Sequence, residues 1–407
     1  WGKKELIRYE FFKEEDLRRI YDPHYKPSPA GEFRKLNVVI LILESFGREY
    51  IGFYNRDKSS DEYKGYTPFL DSLLSESLTF DVSLANGNKS IDAMPSIIAS
   101  LPSLQTPYII SHYANNTING LSSLLKKKGY YTAFFHGAPN GSMGFDAFAR
   151  MAGFDDYFGK NEYPDGKEDF DGMWGLWDEP FLQFFAEKLN RFRQPFLATV
   201  FTISSHHPFE VPAKYKGKFP EGPAPICKTI GYSDYALRRF FDAVKDKPWF
   251  DSTLFVITAD HTNEIISKEY QTTLGHFSVP VAFFMNRSKL RGTKERIAQQ
   301  IDIMPSVLGF LNFDREFIAF GNNLFDNNSE SFAFNTIGSN YYLFMDDHLL
   351  EMIENKSTRL INYKTDRYFE NNLVEELPEL RQRMEDKLRA VIQTYNRRLL
   401  DNDLVVK

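Results

Sequence analysis

The sequence predicts an α/β chain: a central, mostly parallel sheet with helices on both faces, and a small C-terminal α+β extension. Three observations predict it. Short β-like runs alternate with segments of helical length, which is the pattern of a parallel sheet covered on both sides. Four of those runs end in acidic, His or Ser residues, and open α/β sheets bind ligands beyond the carboxyl ends of their strands. Beyond Glu330 the alternation stops, and short strand-like segments are followed by a charged helix.

The elements follow in order. Residues 1–35 are charged and patternless as far as Pro27-Ser28-Pro29-Ala30-Gly31, and read as an arm or linker. Leu36–Leu43 (LNVVILIL) is the first strand and runs into Glu44-Ser45. Thr67 caps a helix with Pro68 at its first position. Leu78–Ala85 is a strand. Ile91–Leu101 is a helix, with Pro95 expected near its first turn. Leu121–Lys128 is a helix closed by Gly129. Tyr131–Phe135 is a strand ending in His136-Gly137. Glu179–Phe192 is an amphipathic helix. Phe196–Ile203 is a strand ending in Ser204-Ser205-His206-His207. Ile230–Lys245 is a helix with Tyr232, Tyr235, Ala236 and Phe240 on one face. Leu254–Thr258 is a strand ending in Ala259-Asp260-His261. Val279–Met285 is a strand and Ile297–Leu311 a helix. In the tail, Ser331–Phe344 and Arg359–Tyr363 read as short strands and Leu377–Leu400 as a charged helix. The expected divisions are residues 1–35 as a linker, 36–330 as the main domain and 331–407 as a subdomain packed on the same core.

Composition narrows the function. The chain of 407 residues carries a formal net charge of −6, so it has no basic footprint for nucleic acid. Its one cysteine, Cys227, excludes an internal disulfide and a Cys-based metal site. No run reaches the roughly 20 apolar residues of a membrane helix. The chain begins at Trp1, and an anchor or export signal is expected upstream.

Glu44, Asp260 and His261 form a metal-ligand set. Hard carboxylates with one imidazole suit Mn²⁺, Mg²⁺ or Zn²⁺. Ser90, in Asn86-Gly87-Asn88-Lys89-Ser90-Ile91-Asp92, lies between a strand and a helix. A hydroxyl there sits where free N–H groups attract anions, and contact with a metal would make it nucleophilic. A serine before a helix also serves as an ordinary N-cap. His206 and His276 are candidates to hold phosphate oxygens or to protonate a leaving group. His136 reads more simply as part of a strand-end turn.

Together these segments resemble the alkaline phosphatase/sulfatase superfamily, in particular the lipoteichoic acid synthase-type phosphoglycerol transferases and the related lipid phosphoethanolamine transferases. The resemblance covers about residues 36–330. It rests on Asn37–Phe46, Thr67–Phe80, Asn86–Asp92, Phe135-His136-Gly137, Ser204–Phe209, Thr229–Phe241, Thr258–His261 and Asp302–Ser306. It implies that Glu44, Ser90, Asp260 and His261 bind one divalent metal, with Mn²⁺ favoured over Mg²⁺ or Zn²⁺. Ser90 then matches the nucleophile, His206 the phosphoryl-holding His, and His276 a His near the leaving group. The implied reaction moves a head group, phosphoglycerol or phosphoethanolamine, from a phospholipid to an envelope glycan or lipid acceptor. The implied setting is a membrane-anchored protein whose catalytic domain is periplasmic or extracellular.

Two departures matter. The phosphoglycerol synthases carry a Trp and an Arg shortly after the His-Gly pair, and Ala138–Asp146 (APNGSMGFD) has neither. Trp174, Trp177 and Arg150 stand nearby as substitutes. Residues Glu210–Lys216 supply no second Asp/His cluster, consistent with one metal. The alternative on the same residues is a phosphatase, phosphodiesterase or sulfatase-like hydrolase. A sulfatase proper is disfavoured, because Ser90 is followed by Ile91-Asp92-Ala93-Met94 without the Pro and Arg of the formylglycine motif.

Overall fold

The computed structural model describes residues 5–27, 30–58, 65–164 and 166–406. They divide into two compact units, Lys35–Ser90 with Ser122–Glu295, and Trp1–Arg34 with Ile91–Leu121 and Arg296–Lys407.

An eight-stranded sheet runs in the order Asp156–Phe158, Tyr131–His136, Phe196–Phe201, Asn37–Leu43, Thr253–Ala259, Val281–Phe284, Leu78–Leu84, Gly292–Gln299. The first five strands are mutually parallel. Val281–Phe284 is antiparallel to both of its neighbours. Asn37–Leu43 is buried along its whole length, as are Phe196–Phe201 and Thr253–Ala259. That is why these strands read as unbroken apolar runs rather than alternating ones. Helices Pro68–Ser75, Asp178–Leu189 and Ile226–Val244 supply much of one apolar cluster with the sheet, including Leu70, Phe185 and Phe240. Phe185 and Phe240 stack at 5.3 Å between centroids.

Thr67 does occupy the N-cap position of Pro68–Ser75, but its hydroxyl donates to Asp71 Oδ1 at 2.9 Å. The open N–H groups of Phe69 and Leu70 donate instead to Asp234, 165 and 164 residues away in sequence, at 3.0 and 2.8 Å. Burial pushes the Asp234 carboxyl up to about 7 against those two bonds. A folded-state pKa above the unfolded one means the native state holds the proton longer, so stability falls as pH rises from about 4 through 7. Asp234→Asn is expected to make that slope shallower, Asp302 and the other raised carboxyls keeping the rest of it. Urea unfolding in chelator at pH 4.5, 6 and 8 measures it, and parallel curves for wild type and variant contradict it.

In the other unit, Phe332–Ile337, Asn340–Met345, His348–Ile353 and Lys356–Asn362 form an antiparallel meander in chain order, accompanied by helix Pro378–Leu400. Asp346-Asp347 and Glu354-Asn355 turn two of its corners with both φ values positive, from 48 to 63°. That is the twist a tight hairpin requires.

Three expectations change. Ile297–Leu311 is not one helix: Gly292–Gln299 is a strand, and the helix is Ile303–Phe310. Between them Asp302 accepts the N–H of Gln299 at 3.0 Å and that of Asn322 at 2.6 Å, which fixes a turn there. The helix expected over Ile91–Leu101 runs instead from Ser90 to Ala99, with Pro95 just past its first turn. Residues 14–20 are helical, with Glu14, Glu15 and Asp16 at the positive end and Arg18 and Arg19 at the negative end. Among the described residues no helix is long and apolar enough to cross a membrane.

Candidate active site

Parallel pairing places the first two acids. Leu43 stands opposite Ala259 in adjacent strands, so Glu44 and Asp260 leave the sheet side by side. Ser45 then turns the chain sharply, with φ of +60°. This aims its N–H at Asp260 Oδ1, 2.7 Å away, and the His261 N–H reaches the same oxygen at 2.7 Å. Glu44 is fixed from behind by Thr202, whose Oγ1 accepts its N–H at 2.9 Å, and by the Ser45 hydroxyl, 2.7 Å from Oε1.

His261 completes the set. Its Nδ1 faces the Thr262 carbonyl at 2.6 Å, which requires a proton on Nδ1 and leaves Nε2 as a lone pair. Nε2 lies 3.2 Å from Asp260 Oδ2 and 3.9 Å from Glu44 Oε1. One ligand atom from each of Glu44, Asp260 and His261 falls within 4.8 Å of the others. Burial, and then the neighbouring Asp260, drive the Glu44 carboxyl well above the ordinary range. Two buried carboxylates facing one imidazole lone pair fit a hard divalent cation, which would reverse that penalty.

Ser90 joins this cluster. It is the first residue of helix Ser90–Ala99 and is buried. Its Oγ lies 3.2 Å from Glu44 Oε2 and 3.2 Å from His261 Nε2. An ordinary N-cap would spend its hydroxyl on its own helix; this one is directed at the acids.

His206 and His276 stand around the same centre. Burial lowers the pKa of both. His206 Nδ1 faces the His207 carbonyl at 3.0 Å. His276 Nε2 is buried with no hydrogen-bond partner among the described residues. His136, set aside in the sequence, shares that condition. Its Nδ1 faces the Phe201 carbonyl at 3.2 Å, its Nε2 has no partner among the described residues, and burial lowers it to about 4 against the pull of Asp260. The only hint in the sequence was its place at a strand end.

Two buried acids brace the loops behind. Asp178 Oδ1 accepts the N–H groups of Ile203 and Ser204 at 2.8 and 3.2 Å, and Oδ2 accepts the Ser233 hydroxyl at 2.6 Å. This sets the start of the Ser204–Phe209 segment that carries His206. Asp178→Ala leaves buried N–H groups unpaired and is expected to cost about 3 kcal/mol. Chemical denaturation measures it, and a loss below about 1 kcal/mol, the worth of one ordinary bond, contradicts it. Glu49 accepts from the N–H of Ile266 and the hydroxyl of Ser267, holding the chain beyond His261.

The loop from Asp171 to Trp177 lies against His136-Gly137. Leu176 N–H donates to the Gly137 carbonyl at 3.0 Å. A Cβ on Gly175 would meet that carbonyl oxygen at 2.7 Å, so only glycine allows the approach. Trp174 from this loop stacks edgewise on His206, 4.5 Å between centroids, and its indole N–H donates to the His207 carbonyl at 2.6 Å. Arg150, by contrast, is exposed and paired with Asp146 at 3.0 Å.

Comparison with known proteins agrees with this architecture. A family model described as Sulfatase matches residues 36–313. Lipoteichoic acid synthase 1 of Bacillus subtilis (strain 168) is 28% identical over 330 residues, covering 74% of this chain and 50% of that protein. The chain thus spans about half the length of the curated relatives it matches. A crystal structure from Vibrio parahaemolyticus, of a protein in the alkaline phosphatase superfamily, superposes with a TM-score of 0.84 at 22% identity, covering 98% of this chain and 99% of that one. The lipoteichoic acid synthase LtaP from Listeria monocytogenes gives 0.78 at 20% identity, covering 97% and 99%. With its sheet edge, its acid and imidazole cluster and this match over most of its length, the chain belongs to the sulfatase family of the alkaline phosphatase superfamily and is homologous to the lipoteichoic acid synthases.

Proposed function

We propose that the chain is a metal-dependent phosphotransferase that moves a phosphoryl-linked head group from a phospholipid to an envelope glycan or lipid acceptor through Ser90. The observation that carries this reading is the Ser90 hydroxyl, 3.2 Å from both Glu44 Oε2 and His261 Nε2 at a helix N-terminus. Glu44, Asp260, His261 and the Ser90 oxygen would hold one divalent ion, with Mn²⁺ favoured. When bound, that ion lowers the pKa of the serine hydroxyl and neutralises charge on the phosphoryl oxygens.

The protein's own groups do the rest. Ser90 gives up its hydroxyl proton to solvent, and its Oγ forms a bond to phosphorus as the bond from phosphorus to the diacylglycerol oxygen breaks. The leaving oxygen takes the electron pair and a proton, which His276 would supply. His206 orients the phosphoryl group, and the helix N-terminus offers N–H groups to its oxygens. An acceptor hydroxyl then attacks phosphorus, passing its proton to His276, as the phosphorus–Ser90 bond breaks; the serine oxygen keeps the electron pair, regains a proton from solvent and the transfer is complete. The domain works at the outer face of the cell membrane, tethered there by a membrane anchor.

The test is product analysis with Mn²⁺ and detergent-dispersed phospholipids, with and without a polyol acceptor. Diacylglycerol release together with an acceptor-linked head group is expected. Free head-group phosphate at the same rate whether acceptor is present or not would make the enzyme a hydrolase instead. Gly175→Ala, which forces the Trp174 loop off the Gly137 backbone, is expected to lower the melting temperature and to lower the activity of the folded protein about tenfold; unaltered kinetics would separate the loop from the site.

A further inference from the structure

Beside His206, the 171–177 loop and the 203–210 segment enclose a cavity of about 170 Å³. Its walls include Trp174, Trp177, Asp171 and Glu210, with His206 forming the side toward the acid cluster. No Lys or Arg lines it. The loop is built to present its indoles: Asp171 Oδ1 accepts the N–H groups of Met173, Trp174 and Gly175 at 2.8, 2.8 and 3.0 Å. Trp174 is nonetheless 39% exposed, with its ring held by the bond to His207. Glu210 is exposed and makes no hydrogen bond or ion pair among the described residues.

We propose that this cavity receives the alkylammonium end of a zwitterionic phosphodiester. The transferred group is then of the phosphoethanolamine type and not phosphoglycerol. Indole faces attract a cation through the ring quadrupole, most strongly where it is partly desolvated. Two carboxylates in a lining free of Lys and Arg add a Coulomb attraction that a neutral polyol cannot use. The placement agrees: His206, to which the proposed function gives the phosphoryl group, is a wall of the cavity, and an ethanolamine ammonium lies two methylenes from its phosphate oxygen. The same geometry accounts for the missing Trp and Arg in Ala138–Asp146. This assignment rests on the transferase reading for the identity of the donor, but cation binding itself does not.

The test is calorimetric titration of the whole chain with choline, ethanolamine and glycerol, at constant ionic strength and without added metal. Both ammonium probes are expected to bind saturably and glycerol not at all. Glu210→Gln, at an exposed position, and Trp174→Leu should each weaken ammonium binding about tenfold or more. Choline binding more tightly than ethanolamine would assign an N-methylated head group; the reverse order would assign ethanolamine. Absence of saturable ammonium binding, glycerol binding of equal strength, or unchanged affinity in both variants overturns the proposal. Phosphoglycerol found on Ser90 would keep the transferase and overturn the cavity assignment. Ammonium binding with no adduct on Ser90 would do the opposite.

Discussion

Ser90→Ala is expected to lower turnover of a phospholipid donor by at least about a thousandfold, because it removes the atom that bonds to phosphorus. Folding should be nearly unaffected. The hydroxyl bonds to Glu44 and His261 rather than to its own helix, so its loss does not strip a cap from Ser90–Ala99. The three remaining ligand groups are untouched, so Mn²⁺ should still bind, more weakly. The diagnostic result is therefore a folded, metal-binding, inactive protein, read from kcat, melting temperature and metal titration. Activity within tenfold of wild type removes Ser90 from the chemistry.

The second large effect lies in the acids. Glu44→Gln is expected to raise the melting temperature of the metal-free protein while abolishing the rise that Mn²⁺ gives the wild type. Without an ion, Glu44 and Asp260 lie buried on adjacent strand ends, and burial and then the neighbouring Asp260 oppose the ionisation of Glu44. Glutamine removes one charge and keeps the shape. In the wild type, saturating metal at about a thousand times Kd adds about 4 kcal/mol of stability. Asp260→Asn should lose metal binding as strongly, by more than about a hundredfold, the upper end of losses seen for ligand-supporting groups. It should not gain stability when metal-free, because Asp260 Oδ1 also accepts the N–H groups of Ser45 and His261. Melting curves with Mn²⁺ and with chelator distinguish the two variants. An equal Mn²⁺ shift in wild type and Glu44→Gln would dissociate Glu44 from the metal.

Much of this was readable in advance for a physical reason. Strands buried on both faces must be apolar throughout, so Asn37–Leu43, Phe196–Phe201 and Thr253–Ala259 stand out, and the first polar residue after each falls at the ligand edge. Parallel register then carries Glu44 to Asp260 without further information. What was not readable depends on distant partners or on unusual backbone. The cap of Pro68–Ser75 comes from Asp234, far along the chain. Strand His348–Ile353 went unseen because its flanking corners use Asp-Asp and Glu-Asn in the left-handed region, where a glycine or an Asn-Gly pair would have marked them. His136 looked like a turn residue because nothing local shows that its Nε2 faces a buried, unpaired environment. Trp174 gained its place only through the close approach of Gly175 to Gly137.

The central claim is a covalent phosphoryl group on Ser90, and intact-protein mass after incubation with Mn²⁺ and a panel of phospholipids tests it most directly. The predicted result is an adduct of one head-group phosphate on wild type, localised to Ser90 by peptide mapping and absent from Ser90→Ala. No adduct at any time point, with head group still released at the same rate by Ser90→Ala, would contradict it.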